Sequence, residues 1–114
     1  MMKIKFNDNK ELTLKFGVRF VDELNRVLGI EQNHMNLGMG VINSLTGLNV
    51  NDPAVLAKVL YASAYDNSPR PSLDSVYDFL DSGKGDIAKL CSDILAEYDK
   101  SNSLKAMVKG LAGK

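Results

Sequence analysis

Residues 3–16 alternate between apolar and polar positions. Ile4 and Phe6 share one side, with Lys3 and Lys5 on the other. After Asn7-Asp8-Asn9-Lys10 the alternation resumes, with Leu12, Leu14 and Phe16 against Glu11, Thr13 and Lys15. A period of two is that of a half-buried strand, so the pattern predicts two strands joined as a hairpin. Pairing Phe6 with Leu12 and Ile4 with Leu14 would keep every apolar side chain on one face. That register asks for a three-residue loop, Asp8 to Lys10, with Asn9 in the left-handed region. A two-residue loop at Asp8-Asn9 would set Phe6 against Glu11. An isolated hairpin is marginal in water, so the apolar face predicts a cover of helices.

From Arg19 to Leu28 the spacing becomes helical, with Phe20, Leu24, Val27 and Leu28 at i, i+4, i+7 and i+8. Gly29 suits a left-handed stop. Ile30 to Asn36 reads as polar and irregular. Leu37 to Leu48 can form a helix, although Gly38, Gly40 and Gly47 weaken it by about 1 kcal/mol each relative to alanine. Asp52-Pro53 is a strong helix start, with Asp52 as N-cap and Pro53 where its missing N–H costs nothing. The helix that follows, Ala54 to Tyr65, is apolar nearly all round, which predicts a central position. Ser68-Pro69-Arg70-Pro71 breaks the chain. Ser72 caps a helix bearing Leu73, Val76, Tyr77 and Leu80, ended by Gly83 and Gly85. Asp86 caps another, with Ile87, Leu90, Ile94, Leu95 and Tyr98 along one stripe. Residues 101–114 are polar and then weakly apolar at Leu104, Met107, Val108 and Leu111, with lysines and no acid. They read as a lysine-rich tail or a frayed helix. No internal repeat or low-complexity segment is present. The expected architecture is α+β and mainly helical: one domain over residues 1–100, an N-terminal β-hairpin packed on four or five helices, with residues 101–114 as a tail.

Composition narrows the functional classes. The chain has 114 residues, enough for one domain of ordinary size. Fourteen Lys+Arg balance fourteen Asp+Glu, giving zero formal charge. Nucleic-acid binders carry a basic excess that displaces counterions, and membrane-surface proteins are similarly basic, so neither class is expected. No apolar run approaches the roughly 20 residues of a membrane span. The start, Met1-Met2-Lys3-Ile4-Lys5-Phe6, lacks the apolar core of a signal peptide. One cysteine allows no intrachain disulfide and no cysteine-cluster metal site. A cytoplasmic protein without cofactor or metal is the expectation.

The candidate chemistry is sparse. His34 is the only histidine, and it stands in a polar connector with no nucleophile motif nearby. Cys91 falls on the apolar face of its helix, where a buried and inert thiol is the plain reading. Asp74, Asp78 and Asp81 line one side of a helix and could hold a magnesium ion or act as an acid/base pair. Opposite Leu73, Tyr77 and Leu80 they read as a solvated face. Gly38-Met39-Gly40 has neither the preceding strand nor the following Lys-Ser/Thr of a phosphate loop, so close packing or a loose helix start explains it better. The lysines from Lys100 onward lack interleaved aromatics for base stacking. One feature remains. Met35, Leu37, Met39, Val41 and Ile42 open an apolar run on a glycine-loosened segment that continues through Leu45, Leu48 and Val50. Methionine adapts to more than one partner shape, so Met35, Leu37, Met39, Val41 and Ile42 are the candidate partner-binding residues, with plain core filling as the alternative.

The order of the pieces carries a resemblance. The hairpin runs into Leu14-Lys15-Phe16-Gly17-Val18-Arg19-Phe20-Val21-Asp22-Glu23-Leu24. Then come Gly38-Met39-Gly40, Asp52-Pro53-Ala54-Val55-Leu56-Ala57, and Arg70-Pro71-Ser72 leading to Val76-Tyr77-Asp78-Phe79-Leu80. Over residues 2–100 this resembles the tail assembly chaperones of long-tailed phages and prophages of Gram-positive bacteria. The resemblance implies a binding protein with no catalytic residues. Its expected partners are the tape-measure protein, which it would keep soluble, and tail-tube subunits, which it would recruit. It also implies self-association, a place in the host cytoplasm, absence from the finished virion and, in many members, a longer frameshifted form. The alternative is a small structural or head–tail joining protein that stays in the particle.

Overall fold

The computed structural model describes residues 2–7, 10–29, 31–32, 35–36 and 39–112. Strands β1 (Met2–Asn7) and β2 (Lys10–Leu14) pair antiparallel, as the alternation predicts. The register differs from the expected one. Met2 lies across from Leu14, Ile4 from Leu12, Lys5 from Glu11 and Asn7 from Lys10, with an irregularity between Lys5 and Asn7. Phe6 is thus the extra residue of a bulge. The bulge absorbs one position, so the two strands meet with Asp8 and Asn9 between them and Phe6 is not forced against Glu11. The apolar residues still share one face, two positions away from the expected pairing. Asn9, expected in the left-handed region, lies outside the described residues.

Six helices follow among the described residues: α1 (Val18–Leu28), α2 (Gly40–Asn49), α3 (Pro53–Ser63), α4 (Leu73–Asp81), α5 (Ile87–Lys100) and α6 (Asn102–Ala112). The expected caps are in place. Asp52 accepts hydrogen bonds from the N–H groups of Ala54 and Val55, at 2.9 and 3.3 Å. Ser72 accepts from Ser75 N–H and Asp86 from Lys89 N–H, each at 3.1 Å. Two local expectations are corrected. Gly29 is extended (φ −74°, ψ 168°) rather than left-handed, because the chain leaves α1 straight into a second strand pair. That pair, β3 (Glu31–Gln32) with β4 (Met35–Asn36), occupies the stretch read as irregular. Two residues a side are too few to show a period. Among the described residues the left-handed positions are Asn51 (φ 57°) and Gly83 (φ 78°).

α3 occupies the centre, as its all-round apolarity predicts. Leu56, Ala57, Val59, Leu60 and Ala62 are buried, and α1, α2, α4, α5 and β2 all pack against it. Leu12 and Leu14 close the hairpin onto this core. Phe16, Phe20 and Tyr98 form an aromatic cluster with ring centroids 5.1–6.1 Å apart. Tyr98 shares a 2.8 Å hydrogen bond with buried Ser44, whose hydroxyl donates to Val41 O. α6 packs on α5 and α1 with Leu104 fully buried, and Ser101 Oγ donates to Phe16 O.

A cluster of three charged groups supports the same core. The Glu23 carboxylate is buried and meets Arg70 at 2.8 Å and Arg26 at 3.1 Å. Arg70 also donates to Tyr61 O at 2.9 Å and lies over the Tyr61 ring, 4.0 Å from its centroid. The broken segment 68–71 thereby docks against α1 and α3.

Three outcomes follow. Ile94 is fully buried on α5, so Ile94→Ala lowers stability by about 2–5 kcal/mol in denaturant titration. Arg70→Ala strands the Glu23 carboxylate with only Arg26 for company and costs about 2–3 kcal/mol, whereas Arg26→Ala, at an exposed position, costs less than about 1. Burial raises the Tyr98 phenol above its ordinary value of 10.0, with Ser44 pulling weakly the other way. The unfolded chain releases that proton first, so this contribution is whole below about pH 10 and is lost as pH rises beyond it. Wild-type melting temperature therefore falls more steeply above pH 10 than that of Tyr98→Phe.

Candidate partner-binding surface

The glycine-loosened segment is held at its helical end. Gly40 opens α2, and its N–H donates to Asn25 Oδ1 at 3.0 Å. A Cβ on Gly40 would lie 2.7 Å from that oxygen and 2.8 Å from the Leu24 carbonyl carbon. The glycine is therefore needed for close approach to α1, which is the packing use expected of it. Asn43 Nδ2 adds a second clamp, donating to Leu28 O at 2.6 Å. Further along, Gly47 lets α2 sit on α3, since a Cβ there would meet the Val55 side chain at 2.5 Å.

On this seat the candidate residues separate. Met39, at the N-cap of α2, is half-buried, and Ile42 is half-buried on the first turn. Val41 is fully buried against the core. Met35 belongs to β4. Leu37 lies outside the described residues, as do Gly38 and His34. At the far end of α2, Val50 is 71% exposed. Two more exposed apolar side chains escaped the list of candidates, Val18 and Tyr77. Tyr77 falls on the expected apolar stripe of α4, but that helix is rotated so that Val76, Phe79 and Leu80 face inward. Tyr77 instead lines a shallow groove of about 270 Å³ with Pro53, Ala54, Leu80 and Asp81. No sequence period distinguishes such a rotation, because Tyr77 and Phe79 are both aromatic.

The polar candidates occupy ordinary places. The Cys91 thiol is buried, and desolvation pushes its pKa up, away from the thiolate that reactive cysteines need. Asp74, Asp78 and Asp81 are exposed on α4. Among the described residues no group of three or more His, Cys, Asp or Glu is placed to hold a metal ion. A larger open groove of about 410 Å³ runs between Lys15–Gly17 and the end of α5. Its charges are already paired, Lys15 with Asp66 and Lys100 with Glu97. The first pair raises the Lys15 ammonium and lowers the Asp66 carboxyl, mainly through their hydrogen bond. No described helix is long and apolar enough to cross a membrane.

What the surface presents is apolar contact area beside glycine-fixed helix packing. Comparison with known proteins agrees with the order of elements. The family model described as phage tail assembly chaperone protein matches residues 3–112, taking in α6 as well as the elements before it. No curated protein and no solved structure matches the chain. With nearly its whole length matched, the chain belongs to the phage tail assembly chaperone family.

Proposed function

We propose that this chaperone binds the tape-measure protein during tail assembly, keeps it soluble and helps recruit tail-tube subunits. The observation that carries this reading is the family match across residues 3–112. The surface around α2 supports it with half-buried Met39 and Ile42 and exposed Val50 on an anchored helix. In this reading Met35, Leu37, Met39 and Ile42 touch the client. Val41, being buried, acts by fixing the helix start on which they stand. Several copies line one client and associate weakly with each other. The work takes place in the host cytoplasm, and the chaperone leaves before the virion is complete. Partners of this kind need adaptable apolar area rather than a reacting group.

The test is co-expression with a candidate tape-measure protein. Wild-type protein is expected to keep the client soluble and to co-purify with it. Met39→Ser removes one apolar side chain at a half-buried position, so it costs less than about 1 kcal/mol in stability yet weakens capture. Ile94→Ala instead lowers the melting temperature. If Met39→Ser unfolds the protein as badly as Ile94→Ala, residue 39 is core. Recovery of the chain from purified virions would favour the head–tail joining alternative over a chaperone that departs.

A further inference from the structure

The two edges of the N-terminal hairpin are finished differently. The outer edge of β2 is closed by side-chain and backbone partners. Thr13 N–H donates to Asn67 Oδ1 at 3.0 Å, Asn67 Nδ2 returns a bond to Thr13 O at 2.8 Å, and Lys15 N–H donates to Ser63 O at 3.0 Å. The sheet contains only β1 and β2, so among the described residues no strand lies against the outer edge of β1. The backbone of such an edge is a template for another strand. The apolar side chains follow the same division. Leu12 and Leu14 are sealed, while Met2, Ile4 and Phe6 remain partly exposed.

Two open grooves run along this edge. One, of about 320 Å³, is lined by Met2 to Lys5 together with Phe79 and Leu90. The other, of about 260 Å³, takes in Lys5, Phe6 and Asn7. Lys84 lines both, so every residue of β1 borders one groove or the other. The rim is basic. Lys89 is paired with Asp93 at 2.9 Å and Lys3 with Glu11 at 4.0 Å. Asp86 is occupied in capping α5. Lys5 and Lys84 are exposed and take part in no ion pair among the described residues.

We infer that the open edge of β1 is a docking site for an extended strand of a partner protein in which acidic side chains alternate with apolar ones. Addition of a strand supplies main-chain hydrogen bonds, and the alternate side chains supply specificity. Apolar residues of the incoming strand extend the row of Met2, Ile4 and Phe6. Acidic residues fall on the opposite face, beside Lys3 and Lys5. β2 already shows the pattern on the other side, with Glu11 across from Lys5 and Leu12 across from Ile4. A second copy of the chain is a poor occupant, because β1 laid against β1 sets lysine beside lysine. This surface shares no residue with segment 35–42, so its test reads independently of tape-measure capture.

The probe is a capped seven-residue peptide alternating valine and glutamate, compared with the same peptide carrying lysine for glutamate. A third version is N-methylated on alternate residues. Binding is followed by fluorescence anisotropy, and amide hydrogen exchange of residues 2–7 by NMR. The valine–glutamate peptide is expected to slow exchange within β1 and to bind at least ~5-fold more tightly than the lysine version. N-methylation is expected to abolish binding by blocking the ladder. The double variant Lys5→Glu, Lys84→Glu, changed only at exposed positions, is expected to reverse the charge preference. Absence of binding, equal affinity for both charged peptides, or binding without slowed exchange in β1 would overturn the inference. So would protection of β1 that grows with protein concentration in the absence of peptide, which would assign the edge to a second copy.

Discussion

The fold depends on one helix that is apolar around most of its circumference and therefore has to be covered. Five other elements cover α3 over Leu56, Ala57, Val59, Leu60 and Ala62, while Pro53 and Ala54 stay exposed and Lys58 half-buried on its remaining side. Each covering element needs to be apolar on one side only. That is why α1, α4 and α5 are amphipathic and why the hairpin alternates. A chain of this size has little surplus stability, so the central helix sets where everything else can go.

Burial alone does not orient the covering pieces. The hairpin is fixed by polar groups at the end of α3, where Asn67 bonds both main-chain groups of Thr13 and Ser63 O takes the Lys15 N–H. The broken segment after α3 is fixed by Arg70, which joins Glu23 of α1 to Tyr61 of α3. α2 is fixed by Asn25 and Asn43 against α1. These groups are directional where apolar contact is not, and each ties together elements distant in sequence.

That difference explains what could be read from the residues. Caps and periods are local, so Asp52, Ser72 and Asp86 announce helix starts and the all-round apolarity of residues 54–65 announces a centre. The bulge at Phe6 could not be read, since it conserves which residues face the core while changing which residues are opposite. Nor could the inward face of α4, where Phe79 and Tyr77 compete on similar terms. Glu23 looks like any helix-surface acid until Arg70 arrives from 47 positions away to neutralise it. Of the candidate partner residues, the apolar run was legible as a run. Its division into buried Val41 and half-buried Met39 and Ile42 depends on where Gly40 seats the helix against α1.

Net charge is equally a sum that hides its parts. Fourteen charges of each sign cancel over the chain, yet cancellation at a distance has little force, because salt screens exposed charges beyond about 8 Å. What a partner meets is the local balance. Around Glu23 that balance is closed and structural, with two arginines on one buried carboxylate. Along β1 it is open, with lysines outnumbering aspartates on the rim of an edge that no described strand covers. Lysines at an edge discourage pairing with an identical strand, and the same charges admit an acidic one. A chaperone with protein partners has a physical use for that asymmetry. It can leave apolar side chains such as Met2, Ile4 and Phe6 half open, because the neighbouring charges select which strand may cover them.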